Sequence, residues 1–436
     1  MQRFYIIADD LTGANDAGVQ LSKIGISSTV FLDFKASSIE TTEDVAIIDT
    51  DSRAMSEKAA YKTVFQASTL FENQGYEHVY KKIDSTLRGN VAAEISAVVS
   101  VHQPELVVIA PAFPKMNRQT INGYQFVNGK PVSETEFGKD PKTPVQDSFV
   151  PNLFKNYIEN QVCLLDRETL LGTEENLIYK IGENANQGRN WFVCDAKTDE
   201  ELRVIATVFS KINKKTVWAG SAGLIEYLPE ALQLEKTKST EEEKLAVSKT
   251  LTVSASLSDV TKQQLERVGE MPDALLVELN PVDLIKKTYS VQTIIEKLAK
   301  QSDKTHLVLF VDSSVNNRKA TKRLETELSM SGTELSETLS LELGKIAQAV
   351  VHSFPAIKGL FLTGGDTAKA VCSQLNMNQM QLYTEVEVGL PLGKLSNETR
   401  SRTFWTVTKA GGFGNANSLM NVLNYMSGKD ENSDTY

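Results

Sequence analysis

Short apolar runs alternate with helical repeats along most of the chain. Runs rich in β-branched and aromatic residues, each followed abruptly by polar residues, are typical of buried strands. In the first half this pattern predicts strands at 4–8, 28–32, 45–49, 78–83, 106–110, 191–194 and 216–219, and helices at 14–23, 56–72 and 91–101. Strands that alternate with helices predict an α/β fold with a mostly parallel sheet.

A charged segment at 235–249 interrupts this alternation and has the composition of a linker. After it the pattern predicts strands at 251–254, 274–279, 306–311, 359–363 and 404–408, and helices at 339–353 and 416–426. A chain of 436 residues exceeds the usual size of one hydrophobic core. We therefore expect two domains, 1–234 and 250–436, each a mostly parallel sheet flanked by helices.

The segment 123–152 shows neither the helical repeat nor the apolar runs of strands, and it is rich in proline and glycine. We expect it to run over the surface as a long excursion, and excursions of that length are often functional.

Two adjacent carboxylates, Asp9 and Asp10, end the first predicted strand. In open α/β sheets, ligands bind beyond the carboxyl ends of the strands. The positive end of a helix dipole offers a simpler reason for acidic residues at this place. Polar clusters follow three further predicted strands, however, and four such clusters at one edge of a sheet predict a pocket. We interpret the chain as an enzyme.

Each of the other three clusters contains at least one basic side chain. In the strand 78–83 and the turn after it lie Lys81, Lys82, Ile83, Asp84 and Arg88, a set that could hold an anion beside a base. After the strand 45–49 comes Arg53, a candidate partner for a substrate carboxylate. The fourth cluster follows the strand 106–110 and contains Lys115, Asn117, Arg118 and Thr120.

The second half contains three strand–turn–helix junctions rich in glycine or serine. Backbone N–H groups in such turns, together with a helix N-terminus, bind phosphate. The residues at these junctions are Ser256 and Ser258, then Gly364, Gly365, Asp366 and Thr367, then Gly411, Gly412 and Gly414. Three junctions of this kind in one domain predict a nucleotide site.

The composition of the chain and the motifs that it lacks argue against several classes of protein. The net charge of −10 argues against a partner that is a nucleic acid or a membrane surface, but leaves a small anionic substrate open. Three scattered cysteines predict neither a disulfide framework nor a zinc cluster. The chain shows no signal peptide and no membrane span, so we expect a cytoplasmic protein. The phosphate-binding motif of P-loop enzymes, the dinucleotide fingerprint GxGxxG and the hydrolase motif GxSxG are all absent.

Taken together, the segments ADDLTGANDAG, KKIDSTLRGN, PAFPKMNRQTINGYQFVNG, LTGGDT and TKAGGFG resemble the four-carbon acid sugar kinase family. The resemblance runs from one end of the chain to the other. It implies phosphorylation of the terminal hydroxyl of a four-carbon sugar acid by ATP with Mg²⁺, with the acid held by the N-terminal domain and ATP by the C-terminal domain. The segment GANDAGVQ resembles members that act on D-threonate or D-erythronate more than those that act on 3-oxo-tetronates.

The resemblance also implies roles for individual residues. Asp9 and Asp10 would face the substrate hydroxyls, Arg53 its carboxylate, and the segment 81–84 its reacting end. Asp84 or Asp10 would accept the proton, and Lys82 would neutralise the transferred group.

On the nucleotide side the resemblance implies contacts from Ser256 or Ser258, from the segment 364–367 and from the glycines that begin at Gly411. The family tends to have glycine where this chain has Ala255, and alanine would be strained there if the turn needs a positive φ.

Several alternatives stay open on the sequence alone. The substrate could be a 3-oxo- or 2-oxo-tetronate, and a protein of this fold could bind nucleotide or sugar acid without turnover. A nicotinamide dehydrogenase is a third alternative. A homodimer is expected on general grounds, and the spacing of the histidines identifies no metal ligands.

Overall fold

A computed structural model describes residues 3–32, 45–140, 142–158, 162–236 and 245–429. The chain forms two compact units, Met1–Ser239 and Thr240–Tyr436. Each unit has a mostly parallel sheet flanked by helices, so the predicted α/β fold class is confirmed.

The main sheet of the first unit is parallel, with β1 near its centre. The strands of this unit are β1 (Phe4–Ala8), β2 (Ser28–Phe31), β3 (Val45–Asp49), β4 (His78–Lys82), β5 (Leu106–Ala110), β6 (Arg118–Ile121), β7 (Tyr124–Val127), β8 (Lys130–Pro131), β9 (Cys163–Leu165), β10 (Trp191–Cys194) and β11 (Thr216–Gly220). Their order in the main sheet is β2-β3-β1-β4-β11-β5-β10-β9. Ala8 pairs with Asp49 on one side and with Lys82 on the other, so three strands end level with one another.

Helices pack against this sheet and begin mostly at side-chain caps. They are α1 (Leu11–Lys23), α2 (Glu57–Glu72), α3 (Val91–His102), α4 (Arg167–Leu170), α5 (Glu174–Asn186), α6 (Asp199–Lys211), α7 (Ala222–Ile225) and α8 (Leu228–Ala231). Short 3₁₀ helices lie at Pro114–Met116, Val132–Glu134, Glu136–Lys139 and Val150–Phe154. Helix α1 begins earlier than the predicted 14–23, because Asp10 caps it by accepting a hydrogen bond from the Gly13 N–H.

The segment 123–152 is exposed or half-buried at most of its described positions, as expected of a surface excursion, but it also contains regular structure that the sequence analysis did not predict. Strands β6, β7 and β8 form a small antiparallel sheet. Asn122-Gly123 and Asn128-Gly129 connect these strands, and all four residues have positive φ. Asn-Gly pairs favour such two-residue turns, so the sequence contained this signal. Val132 and Val150 are fully buried, so these apolar side chains anchor the segment to the core.

In the second unit five parallel strands continue into an antiparallel pair. The strands are β12 (Lys249–Ser254), β13 (Ala274–Leu279), β14 (His306–Val311), β15 (Ile357–Thr363), β16 (Gln379–Glu387), β17 (Leu390–Ser396) and β18 (Thr403–Lys409), in the order β13-β14-β12-β15-β18-β17-β16. The helices are α9 (Asp259–Gly269), α10 (Pro281–Lys286), α11 (Val291–Ala299), α12 (Val315–Glu327), α13 (Gly332–Ser353), α14 (Gly365–Gln374) and α15 (Ser418–Met426).

Two features of the second unit differ from the sequence analysis. The hairpin of β16 and β17 was not predicted, since its mixed apolar and polar residues give no long apolar run. Of the predicted linker 235–249, the part at 237–244 lies outside the described residues. Leu245 and Val247 pack in the core of the second unit, where the Val247 N–H donates to the Met426 carbonyl. In the described ranges no helix is long and apolar enough to cross a membrane.

The segment 123–152 ends in the 3₁₀ helix Val150–Phe154, and the buried Phe154 gives a test of how that helix is packed. Its ring is 0% exposed and lies 5.5 Å from the Trp191 ring, between centroids. We expect Phe154→Ala to lower the free energy of unfolding by about 3–5 kcal/mol, because it opens a cavity. Phe65→Ala, at a phenylalanine that is 39% exposed, is the matched control and should cost less than ~1 kcal/mol. Equal losses in urea denaturation would contradict the burial.

Candidate functional site

The carboxyl ends of β1, β3 and β4 bring three of the predicted clusters together. Since Ala8, Asp49 and Lys82 are in register, the residues that follow them project from the same edge of the sheet. This edge is where α/β sheets bind ligands.

Arg53 joins the two carboxylates that end β1. Its Nε and Nη2 donate to the two oxygens of Asp9, at 2.6 and 3.1 Å, and its Nη1 donates to Asp10 Oδ2 at 2.5 Å. Burial alone would raise the pKa of Asp9, but the charges of Arg53 and Lys81 outweigh burial and lower it. The guanidinium that the sequence analysis assigned to a substrate carboxylate is thus already paired with two carboxylates of the protein.

Asp10 is the more accessible of the two acids, with 22% of its side chain exposed against 3% for Asp9. One oxygen of Asp10 caps α1 and the other accepts from Arg53. A Cβ at Gly13 would lie 2.8 Å from Asp10 Oδ1 and 3.1 Å from Lys82 Nζ. Glycine at this position therefore allows the carboxylate and the ammonium to approach the first turn of the helix.

Lys82 differs from the other charged residues at this edge. The residue is 4% exposed, and within the described part of the protein its ammonium donates only to the Ile83 carbonyl, at 3.0 Å. No carboxylate among the described residues forms an ion pair with it. An ammonium that is buried without a carboxylate costs free energy, which an incoming anion would recover.

Asp84 is held by its own turn and by Arg88. Its oxygens accept from the Thr86 N–H and hydroxyl and from Arg88 Nε, the last at 2.5 Å. Burial would raise the pKa of Asp84, yet the charges of Arg88 and Arg53 and the hydrogen bonds from Thr86 hold it well below its usual range. A carboxylate with so low a pKa is a weak proton acceptor.

Lys81 lies beneath the cluster rather than at its open edge. Its side chain is fully buried, with Nζ 2.8 Å from Glu94 Oε2 and further bonds to the carbonyls of Ile7 and Lys82. All three of its N–H donors are used in these bonds, and its predicted contact with substrate stays a prediction. The main chain of Ile83 is occupied too, because its N–H donates to Gly220 and its carbonyl accepts from Lys82.

The sequence analysis did not include two residues of this region, Glu94 and Arg118, in the candidate site. Glu94 is a buried acid in the apolar helix α3, and an acid inside an apolar repeat is the signal that could have indicated it. Arg118 was noted but not selected. Its Nε is buried and has no hydrogen-bond acceptor among the described residues. Its guanidinium, like that of Arg88, lies against the ring of Phe137. Burial lowers the pKa of Arg118, and Asp84 counteracts this.

In the second unit the three predicted junctions meet. They follow β12, β15 and β18, which are neighbours in the sheet. A Cβ at Gly411 would lie 2.4 Å from Ser256 Oγ and 3.6 Å from the Ser258 Cβ, so the first and third turns are in contact. The Gly364 N–H donates to the Lys409 carbonyl, which joins the second turn to the third.

The glycines of these turns leave room at the edge of the sheet. Gly364 has a φ of +96°, and Gly414 a φ of +80°, conformations that favour glycine. Gly365 and Gly412 have open space where a Cβ would be. Ala255 does not have a positive φ, so the strain considered for alanine there does not arise.

Three side chains of this region take part in local structure. Ser258 caps α9, and Asp366 and Thr367 lie in the first turn of α14, where Thr367 is buried. Lys409 was missed by the sequence analysis. It ends β18 and its side chain lies under the glycine turn, 2% exposed.

Family models and known relatives match this chain over nearly its whole length. Residues 4–228 match the model of a sugar-binding N-terminal domain, and residues 251–419 match that of a nucleotide-binding C-terminal domain. A D-threonate kinase of Salmonella typhimurium is 32% identical over 97% of this chain and 98% of its own length. The chain belongs to the four-carbon acid sugar kinase family. A D-erythronate kinase of Heliobacterium modesticaldum is 30% identical over 100% of the chain and 99% of its own length.

Solved structures of low sequence identity share the fold. A Salmonella typhimurium structure has a TM-score of 0.81 at 19% identity and covers 97% of this chain and 99% of its own. A Haemophilus influenzae structure has a TM-score of 0.77 at 22% identity, with coverage of 97% and 100%.

No cluster in the described part of the chain brings together three or more histidine, cysteine or acidic side chains able to hold a metal ion.

The buried ion pair between Lys81 and Glu94 leads to a prediction about stability. Glu94→Gln leaves Lys81 buried without a carboxylate, and we expect a loss of about 3–5 kcal/mol in the free energy of unfolding. The control is Glu200→Gln, which breaks an exposed pair with Arg203 at 3.7 Å and should change stability by about 0.5 kcal/mol or less. Urea denaturation of the three proteins checks this, and a loss below ~1 kcal/mol for Glu94→Gln would contradict it.

Proposed function

We propose that the protein transfers the γ-phosphoryl group of ATP to the terminal hydroxyl of a four-carbon sugar acid, with D-threonate as the first choice and D-erythronate as the second. Support for this order comes from the relatives. Those named D-threonate kinase or D-erythronate kinase are 28–32% identical to the chain, whereas those named 3-oxo-tetronate kinase are 22–24% identical.

The observation that carries the proposal is the ammonium of Lys82. It is buried, has no carboxylate partner among the described residues, and lies next to Asp10 across the space that Gly13 leaves free. Phosphoryl transfer needs a fixed positive charge near the transferred group and an acid near the attacking hydroxyl. Lys82 and Asp10 supply these two functions side by side.

Asp10 is the better candidate for the proton acceptor. It is partly exposed, and each of its oxygens accepts one hydrogen bond from the described residues, so each can accept another from a substrate hydroxyl. Asp84 accepts three hydrogen bonds and its pKa is held well below the usual range by Arg88 and Arg53. We therefore assign proton transfer to Asp10, and to Asp84 the task of holding Arg88.

The carboxylate of the sugar acid needs a cation that is not already neutralised. Arg53 is paired with Asp9 and Asp10, although a guanidinium has five N–H donors and Arg53 uses three of them here. Arg118 has a buried Nε without an acceptor and no carboxylate partner among the described residues. We propose that Arg118 shares the carboxylate with Arg53.

ATP would be held by the three turns of the second unit, with Gly365 and Gly412 leaving space for the phosphate groups. Mg²⁺ bound to the phosphates would reduce their negative charge. Ser256, Ser258 and the first turn of α14 would provide hydroxyl and N–H donors at the same edge.

The substrate assignment is tested by ADP formation with Mg-ATP. The acids to compare are D-threonate, L-threonate, D-erythronate, L-erythronate, 3-oxo-tetronates and 2-oxo-tetronates. We expect the highest kcat/KM for D-threonate, and little activity with threitol, which lacks the carboxylate. A maximum for an oxo acid would replace the substrate and keep the kinase. No stimulation by any acid, from folded protein that binds ADP, would leave the non-catalytic alternative.

The proton acceptor is tested by two matched substitutions. Asp10→Asn should lower kcat about 100-fold or more, with a smaller change in KM, because asparagine still caps α1 but cannot accept the proton. Asp84→Asn removes a charge that holds Arg88, so it should act mainly through KM for the acid. Steady-state kinetics with both substrates varied checks this. The reverse order of the two kcat effects would assign the proton to Asp84.

A further inference from the structure

Lys409 is a buried ammonium enclosed by the glycine turn that follows β18. Its Nζ donates to the carbonyls of Ala410, Gly411 and Phe413 at 2.9–3.1 Å, and lies 3.2 Å from Thr261 Oγ1. Among the described residues no carboxylate pairs with it. Burial is the one influence on its pKa, which falls to about 8.

The need of these carbonyls for a hydrogen bond does not explain why a lysine lies here, because each of them already accepts a hydrogen bond from another donor. The Ala410 carbonyl accepts from the Phe413 N–H, the Gly411 carbonyl from the Thr261 hydroxyl, and the Phe413 carbonyl from Gln264 Nε2. A neutral side chain would leave these groups satisfied and would avoid the cost of a buried charge. The positive charge itself therefore needs an explanation.

The geometry of the turn provides one. In a planar trans peptide the carbonyl of one residue and the N–H of the next point in opposite directions, and the described residues contain no cis peptide. Since the carbonyls of Ala410, Gly411 and Phe413 face Lys409, the N–H groups of Gly411, Gly412 and Gly414 point away from it. These three N–H groups have no acceptor in the described part of the protein.

We propose that Lys409 is a positioning residue for the phosphates of the nucleotide: its charge holds three carbonyls inward, directs three N–H groups outward and adds a positive field behind them. Outward N–H groups on such a turn form an anion-binding concavity. A bound phosphate is the negative charge that the buried ammonium lacks. This inference depends on the nucleotide site proposed for the second unit and adds a residue to it.

The test compares ADP binding, by isothermal titration calorimetry, for the wild type, Lys409→Met and Lys249→Met. Lys249 is a matched control, because its ammonium also donates to two carbonyls, those of Ser302 and Lys304, but at the opposite end of β12 from Ser254. We expect Lys409→Met to weaken ADP binding at least ~10-fold, or about 1.4 kcal/mol, and Lys249→Met to leave it within about twofold. In steady-state kinetics KM for ATP should rise in Lys409→Met while KM for the acid stays unchanged.

The pH dependence of the wild type is a second measurement that needs no variant. Lys409 is charged below its pKa of about 8, so ADP affinity should fall as pH rises through that value. The groups that face the ammonium are three carbonyls and the Thr261 hydroxyl, none of which titrates in this range. The decline should be absent in Lys409→Met.

The outcomes separate the inference from the proposed function. A wild type that does not bind ADP overturns the nucleotide site and the role of Lys409 together. A wild type that binds ADP, with folded Lys409→Met binding it within about twofold, overturns the role of Lys409 alone. Should Lys409→Met not fold, a flat wild-type profile up to about pH 9.5 overturns it, and a decline above pH 8 supports it.

Discussion

The binding region proposed for the first unit depends on how buried charged side chains pair at the ends of its parallel strands. Strands β1, β3 and β4 end level with one another, so the residues after them must share one small region. Arg53 makes this arrangement stable, because its planar guanidinium pairs with Asp9 through two N–H donors and with Asp10 through a third. Without it, two adjacent carboxylates would repel each other in a region of low dielectric.

The two proposed binding sites differ in the groups that contact their buried cationic side chains. In the first unit Lys81, Arg53 and Arg88 each have a carboxylate, whereas Lys82 and Arg118 have none among the described residues. In the second unit the charge of Lys409 is enclosed by carbonyls, and backbone N–H groups form the open surface. The first arrangement suits a ligand with hydroxyls and one carboxylate. The second suits a polyanion, which needs many donors rather than ion pairs.

The sequence predicted the fold well where burial on both faces of a sheet makes strands uniformly apolar. The strands at 4–8, 45–49 and 106–110 agree with the structure in both bounds. The antiparallel elements were harder to predict, because β16 and β17 mix polar and apolar residues and because the Asn-Gly turns of the first unit were not recognised.

The sequence also indicated which strand ends carry polar residues, but not which of those residues pair. That Lys81 faces Glu94 while its neighbour Lys82 does not depends on the alternation of side chains across β4 and on the packing of α3 against the sheet. Lys409 was missed for a related reason. A lysine at the end of a strand usually lies in solvent, and its burial depends on a turn that folds back over it.

Asp10 links the binding region to the backbone of α1. One of its oxygens holds the first-turn amide of Gly13, while the other is engaged by Arg53. Anything that redirects this carboxylate, such as a hydroxyl of a bound ligand, alters the protection of that amide as well. If a ligand binds to Asp10 as proposed, amide hydrogen exchange at the start of α1 changes with occupancy of the site, and the helix terminus becomes an intrinsic reporter of binding.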